Sequence, residues 1–214
     1  MQSLIDYLSS SIGKKQLVAL SGLLLCGFLT AHLAGNLLLL RGMDAFNHYA
    51  ELLTENPLLP VAEVALAALF LLHIALGLFV SWRNYNARPE AYDARVSAGG
   101  RTPGSATMKY TGLFTLVFLI VHVWTFRFGE DDGPGGLFGL VMEWFQNGMY
   151  AGFYVLAMAF LGLHLSHGFQ SAFQTLGVNH PRYTPLIKAA GVFFALACSL
   201  GLGILPLWSH FIGG

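Results

Sequence analysis

Leu161-Gly162-Leu163-His164-Leu165-Ser166-His167-Gly168 lies inside an apolar run over about residues 149–175, long enough to cross the ~30 Å hydrocarbon core of a bilayer. A polar ring at that depth costs several kcal/mol unless a partner or a ligand takes it. Four more runs of this kind occupy about residues 15–40, 59–83, 107–128 and 185–210. The chain therefore reads as an all-α, polytopic membrane protein, with five transmembrane helices in a single membrane domain over residues 1–214. Connections are short, so neighbouring helices should run antiparallel in one bundle.

Composition agrees. Of 214 residues 55% are hydrophobic and only 10% charged, with a mean hydropathy of +0.61, against about 25% charged in soluble domains. Formal net charge is zero, and the basic residues are dispersed over loops, which argues against a nucleic-acid partner. Cys26 and Cys198 both sit inside apolar runs and read as packing residues, not as a disulfide framework or a thiolate cluster. The first run exceeds a signal-peptide core and lacks a small-residue cleavage pattern, so it is expected to remain as a spanning helix. No internal repeat or low-complexity tract stands out.

Loop charge sets an orientation. Lys14, Lys15, Arg83, Arg88, Arg95, Arg101, Lys109, Arg182 and Lys188 fall on one side, and only Arg41 and Arg127 on the other, beside Asp44, Glu51, Glu55, Glu130, Asp131 and Asp132. The positive-inside rule then puts the N-terminus in the cytoplasm and the C-terminus outside. Asn56-Pro57, Pro60, Pro103-Gly104 and Gly133-Pro134-Gly135-Gly136 punctuate the predicted boundaries. Trp82, Trp124, Trp144 and Trp208 lie near helix ends, as interfacial anchors do. Residues 137–145 are too few to span and are expected along the outer surface.

With a 1.5 Å rise per residue, position becomes depth. His32 lies roughly 25 Å and His122 roughly 20 Å from the inner ends of their helices, while His73 and His164 each lie roughly 15 Å from theirs. The four thus sort into an outer pair, on helices I and III (about residues 15–40 and 107–128), and an inner pair, on helices II and IV (about residues 59–83 and 149–175). Two imidazoles facing each other at one depth from different helices is what bis-imidazole ligation of a b-type haem requires, and two pairs predict two haems. Gly22 and Gly112 each stand ten residues before a histidine, placing positions without side chains near the depth of the inner pair; Gly152 similarly reaches the outer one. Close helix packing would equally explain these glycines. A hydrogen-bonded core histidine or a proton relay is the rival for any one imidazole, but a relay should bring carboxylates, and only Glu63 lies within a run. His164 and His167 are three apart on one face, so either could reach a ligand. His48, His180 and His210 fall in loops or at an end; His48 and Tyr49 are candidates for the border of an outer quinone pocket.

His167-Gly-Phe-Gln-Ser-Ala-Phe-Gln-Thr-Leu-Gly177, followed by Asn179-His-Pro-Arg-Tyr-Thr-Pro-Leu-Ile-Lys188, with one histidine in each of the first four helices, resembles a known family. It is similar to the dihaem cytochrome b membrane-anchor subunit of succinate dehydrogenases and fumarate reductases, the single-anchor, two-haem type. The resemblance covers essentially the whole chain. It implies His32 and His122 as axial ligands of an outer haem b and His73 and His164 as those of an inner one; His164, thirteen residues before Gly177, is favoured over His167 by the family's spacing. His167 then becomes a neighbouring donor on the propionate side. Ser21, Lys14, Lys15, Arg83 and Lys109 are candidate partners of the inner propionates.

The resemblance further implies flavoprotein and iron–sulfur subunits on the cytoplasmic side that interconvert succinate and fumarate. This chain, lacking a dicarboxylate site, would anchor them in a bacterial cytoplasmic membrane, in a complex open to dimerisation. Electrons would move through the two haems between the iron–sulfur subunit and a quinone, expected to be menaquinone. Glu63, an acid near the outer end of helix II, is the candidate proton group for that quinone. One departure stands out: Gly162 occupies a position where some quinol-oxidising members carry a glutamate, which puts that proton path in doubt. The alternatives are a dihaem cytochrome of another quinone-linked dehydrogenase, such as a hydrogenase or formate dehydrogenase, and a haem-free histidine-relay transporter.

Overall fold

The computed structural model describes residues 3–87, 102–130, 133 and 135–213. Eight α-helices follow in chain order: α1 (Leu4–Ser9), α2 (Ser11–Asn36), α3 (Met43–Thr54), α4 (Leu59–Asn86), α5 (Pro103–Arg127), α6 (Gly136–Gln146), α7 (Gly148–Thr175) and α8 (Thr184–Phe211); a 3-10 turn, Leu37–Arg41, extends α2. There is no strand among the described residues. Five of these helices, with the turn counted into the first, are long and apolar enough to cross a membrane. Arg88, Arg95, Arg101, Asp131 and Asp132, five of the charges that set the orientation, lie outside the described residues.

Local chemistry fixes the helix ends. α5 starts four residues before its expected onset, because Thr102 and Ser105 close a reciprocal capping box and Pro103 takes the first helical position. Asn147 caps α7 through Oδ1, accepting from the amides of Met149 and Tyr150. At its other end Gly177 adopts φ +88°, the Val178 amide donates to the Phe173 carbonyl and the Gly177 amide to Gln174. That Schellman turn needs a residue tolerant of left-handed backbone, so it accounts physically for the glycine closing the helix IV pattern.

α7 is the bundle's central element, packed against α8, α5 and α2, while α4 leans chiefly on α2. Small residues bring α7 and α8 close: a Cβ on Gly162 would stand 2.8 Å from Ser199 Cβ, and Ser199 Oγ donates to the Met158 carbonyl. Gly162 therefore faces α8 and leaves no room for a glutamate there. Lys14, at the start of α2, lies over the Phe79 ring near the end of α4, which makes those two helices antiparallel. The ends carrying Lys14, Arg83 and Lys109 form a basic end of the bundle.

The opposite, acidic end is covered by two short helices. The segment with His48 and Tyr49, expected as a loop, is the amphipathic helix α3, with Phe46 buried. α6, expected along the surface, folds back so that Val141, Met142 and Phe145 are buried. Asn47 ties the two together, donating to the Gly135 carbonyl and accepting from the Phe138 amide. Leu39, Phe46, Val141, Phe145, Ala151, Tyr154 and Leu205 form one buried cluster beneath them. α1, which the sequence did not announce, is capped by Ser3 and Asp6 and exposes Leu4 and Ile5.

Candidate functional site

Four histidines project into the bundle from the four helices expected to carry them, and they meet in twos. The rings of His32 on α2 and His122 on α5 have centroids 5.7 Å apart at an interplanar angle of 88°. Those of His73 on α4 and His164 on α7 are 6.5 Å apart at 79°. An imidazole nitrogen binds a first-row metal at about 2 Å and its ring centroid lies about 1 Å behind it, so two rings sharing one metal in line should have centroids about 6 Å apart. Both pairs match that spacing. Among the described residues no group of three or more metal-binding side chains occurs, so the histidines meet as pairs and not as a larger cluster.

Each ring has its own surroundings. His73 Nδ1 lies 3.1 Å from Ser21 Oγ, and a Cβ on Gly22 would stand 3.1 Å from His73 Cε1. Across the bundle, a Cβ on Gly112 would stand 3.3 Å from His164 Cε1, and His164 Nδ1 is buried without a hydrogen-bond partner. The two glycines thus lie against the His73–His164 pair, at the depth expected of them. Gly152 differs, since a Cβ there would meet nothing within 4 Å.

His122 Nδ1 lies 3.3 Å from Tyr154 Oη, which is 3.0 Å from Tyr150 Oη, and Tyr150 donates to Thr125 Oγ1 at 2.8 Å. Were His122 to bind through Nε2, Nδ1–H would donate into this chain, with Tyr154 and Tyr150 each accepting once and donating once. The sequence reading missed Tyr154; its position ten residues before His164 was the available signal, because the neighbouring helix is antiparallel and a tyrosine there meets the other pair. His32 Nε2 lies 3.4 Å from the amide nitrogen of Asn36, one turn on. His167 Nδ1 is also buried and without a partner, beside the start of α5, where a Cβ on Gly104 would stand 3.0 Å from His167 Cβ.

The basic candidates cluster at the end nearer His73 and His164. Lys14 Nζ donates to the Ser9 carbonyl and Arg83 lies 6.0 Å from the Phe79 centroid, while Lys15 and Lys109 are exposed. At the acidic end Glu63 is not a free acid: Arg127 grips both carboxylate oxygens, at 2.6 and 3.0 Å. His48 is exposed, and the Tyr49 ring packs directly on Gly35, three residues beyond His32.

The geometry also corrects the reading that the chain lacks a repeat. Ser21-Gly22-Leu23, Phe28-Leu29 and His32 recur as Thr111-Gly112-Leu113, Phe118-Leu119 and His122, ninety residues on. His73 and Gly77 recur as His164 and Gly168, ninety-one on. The copies sit alike. Phe28 stacks on His32 at 5.3 Å and 27°, Phe118 on His122 at 5.4 Å and 26°, and Gly22 and Gly112 each lie against the pair the other helices supply. α2 with α4 and α5 with α7 thus carry corresponding residues in a repeated hairpin pattern.

Over 203 residues, 92% of this chain and 94% of the relative, the sequence is 26% identical to the succinate dehydrogenase cytochrome b558 subunit of Bacillus subtilis strain 168. No protein-family profile matches the sequence, and no solved structure does. The similarity to that cytochrome b subunit runs along nearly the whole length of the chain.

Proposed function

From that kinship we propose that the chain is the cytochrome b membrane subunit of a succinate dehydrogenase or fumarate reductase, anchoring flavoprotein and iron–sulfur subunits at its basic, cytoplasmic end. The observation that carries this reading is the meeting of four histidines as two pairs, with ring centroids 5.7 and 6.5 Å apart, across helices that do not adjoin in sequence. Two b haems, when bound, supply one-electron transfer across the membrane between the iron–sulfur subunit and a quinone.

This chain's residues hold and orient. His32 with His122, and His73 with His164, present opposed nitrogens; Gly22 and Gly112 keep the inner pair's flanks free of side chains. Ser21 and Tyr154 accept the outward-facing Nδ1–H of His73 and His122, which fixes the tautomer that leaves Nε2 free and raises ligand basicity. Lys14, Lys15, Arg83 and Lys109 offer cations to propionates at the basic end, and His167 a nearby imidazole. The quinone, menaquinone by the family resemblance, is assigned to the acidic end, where Glu63 and Arg127 supply an acid and a donor and Tyr49 and His48 lie on α3. A site there makes electrons cross much of the bilayer, and each charge moved is worth ~2.3 kcal/mol per 100 mV.

The test is purification with whatever subunits accompany the chain, followed by haem quantitation and reduced-minus-oxidised spectra. Two b haems per chain, with a flavoprotein and an iron–sulfur protein copurifying, are expected. A folded chain without haem overturns the reading, and a hydrogenase or formate dehydrogenase partner transfers the same cytochrome to another enzyme.

A further inference from the structure

His164 Nδ1 is the anomaly of the inner pair, a buried ring nitrogen without a partner in apolar surroundings, where an unmade hydrogen bond is expensive. Its counterpart in the repeated hairpin, His73 Nδ1, has a hydroxyl at 3.1 Å, that of Ser21. Ser21 immediately precedes Gly22, and the residue that immediately precedes Gly112 in the second copy is Thr111.

We propose that Thr111 is the positioning residue of His164, its hydroxyl accepting the Nδ1–H as Ser21 does for His73. The observations behind this are independent of the histidine's own orphaned state. Thr111 is 0% exposed, although a hydroxyl buried among apolar helices is normally kept only where it bonds. Its Oγ1 donates to the carbonyl three residues back, Met108, at 3.1 Å, and Ser21 Oγ donates to Val18 in the same way at the same distance. Each hydroxyl has thereby used its one proton, so toward a ring N–H it can only accept. That polarity is what an imidazole bound through Nε2 requires, and the donated bond makes the oxygen a better acceptor. The backbone is already in place: a Cβ on the adjoining Gly112 would lie 3.5 Å from His164 Nδ1. Two small hydroxyl residues, one from each hairpin copy, thus hold the two rings of the inner pair from opposite sides of the bundle.

The inference rests on the reading of His73 and His164 as ligands of one haem, and its test separates the two. Thr111→Val keeps the shape and removes the acceptor, Thr111→Ser keeps the acceptor, and Ser21→Ala removes its twin; each is made in the full chain, expressed with its complex in membranes. Haem content and the midpoint potential of each haem are read by optical redox titration. A ligand that loses its acceptor is less basic and stabilises the oxidised iron less. Thr111→Val should therefore retain two haems and raise the potential of the His73–His164 haem alone. Ser21→Ala should raise the same potential, and Thr111→Ser should match the parent. If Thr111→Val costs that haem outright, retention in Thr111→Ser supports the hydroxyl, whereas loss in both assigns Thr111 to packing and overturns the proposal. Unchanged potentials in Thr111→Val, or a shift confined to the other haem, also overturn it. The underlying reading fails by a different result: a His164→Ala chain that still holds both haems.

Discussion

The two histidine pairs occupy the same four helices and share nearly the same ring spacing and near-perpendicular ring planes, yet they are built from opposite materials. Around His32 and His122 the walls are aromatic. Phe28 and Phe118 stack on the two rings, Phe126 and Tyr154 press on His122, and the α3–α6 cap seals the end above them. Around His73 and His164 the walls include Ser21, Gly22 and Gly112, only the six-residue α1 among the described residues packs on the start of α2 at that end, and the Nδ1 atoms of His164 and His167 are without a partner. If both pairs ligate haem, ligand identity is held constant while the surrounding dielectric and hydrogen bonding change, two of the levers by which a protein sets a haem's potential. The comparison teaches that the same pair of residues, brought together twice at nearly the same spacing, can sit in two chemically unequal surroundings.

The severest way to break the comparison is to remove one ligand from each pair. His164→Ala should take the haem count per chain from two to one and leave the His32–His122 haem's spectrum in place; His122→Ala should do the reverse. Quantitation of extracted haem decides it, and parallel loss of both haems from either variant would mean that the pairs are not separate sites.

Next in size is a test of the small-residue wall. A Cβ alone at Gly112 or Gly22 already comes within 3.3 or 3.1 Å of a histidine ring, so a branched side chain must displace the ring or the helix. Gly112→Val should strip most of the His73–His164 haem, whereas Gly139→Val, on α6 and outside the four histidine-bearing helices, should leave both haems bound. Equal losses from the two valines would mean that glycine serves general packing in this bundle, as small residues commonly do.

Finer still is the aromatic end. Tyr154→Phe keeps the ring that packs against Phe118, Phe126 and Phe145 but removes the oxygen 3.3 Å from His122 Nδ1. Both haems should remain, and the potential of the His32–His122 haem alone should rise. A rise of the other haem's potential would reverse the assignment of Tyr154.

Much of this was legible in the chain, for a specific reason. In a membrane helix each residue is worth a fixed rise, so His32, His73, His122 and His164 could be placed in depth, and depth selects their partners. Gly22 and Gly112 followed by the same arithmetic. Depth says nothing about rotation around the bundle axis, which is why Tyr154 and the orphaned His164 nitrogen came only with the structure. α1 and α3 escaped notice because short helices carry little periodic signal. The hairpin repeat escaped because its few matching residues lie ninety apart in one helix pair and ninety-one in the other, a shift that hides it from any single spacing. Glu63 shows the same limit: its position inside an apolar run was visible, but the arginine that grips it, Arg127, stands 64 residues away.

That ion pair supplies the smallest predicted effect on the fold and the sharpest on function. Both side chains stand on the protein surface near helix ends, 59% exposed for Arg127 and 36% for Glu63, and where water reaches such a pair it contributes at most about 1 kcal/mol. Glu63→Gln preserves size and one acceptor for Arg127, and thermal unfolding of the solubilised complex should shift by no more than a few degrees, with both haem spectra intact. Quinone chemistry should respond differently. If the acidic end holds the quinone, the variant lacks a carboxylate that can take or give a proton as the quinone is reduced or oxidised. Quinone-linked turnover should fall at least tenfold, while reduction of the haems by succinate through the iron–sulfur partner stays at the parent rate. Because α4 and α5 belong to different hairpin copies and Glu63 with Arg127 is their one ion pair among the described residues, the same variant asks whether the seam between the copies is the quinone's place. Unimpaired turnover would move the quinone away from this seam and leave Glu63 as a clamp between the two hairpins.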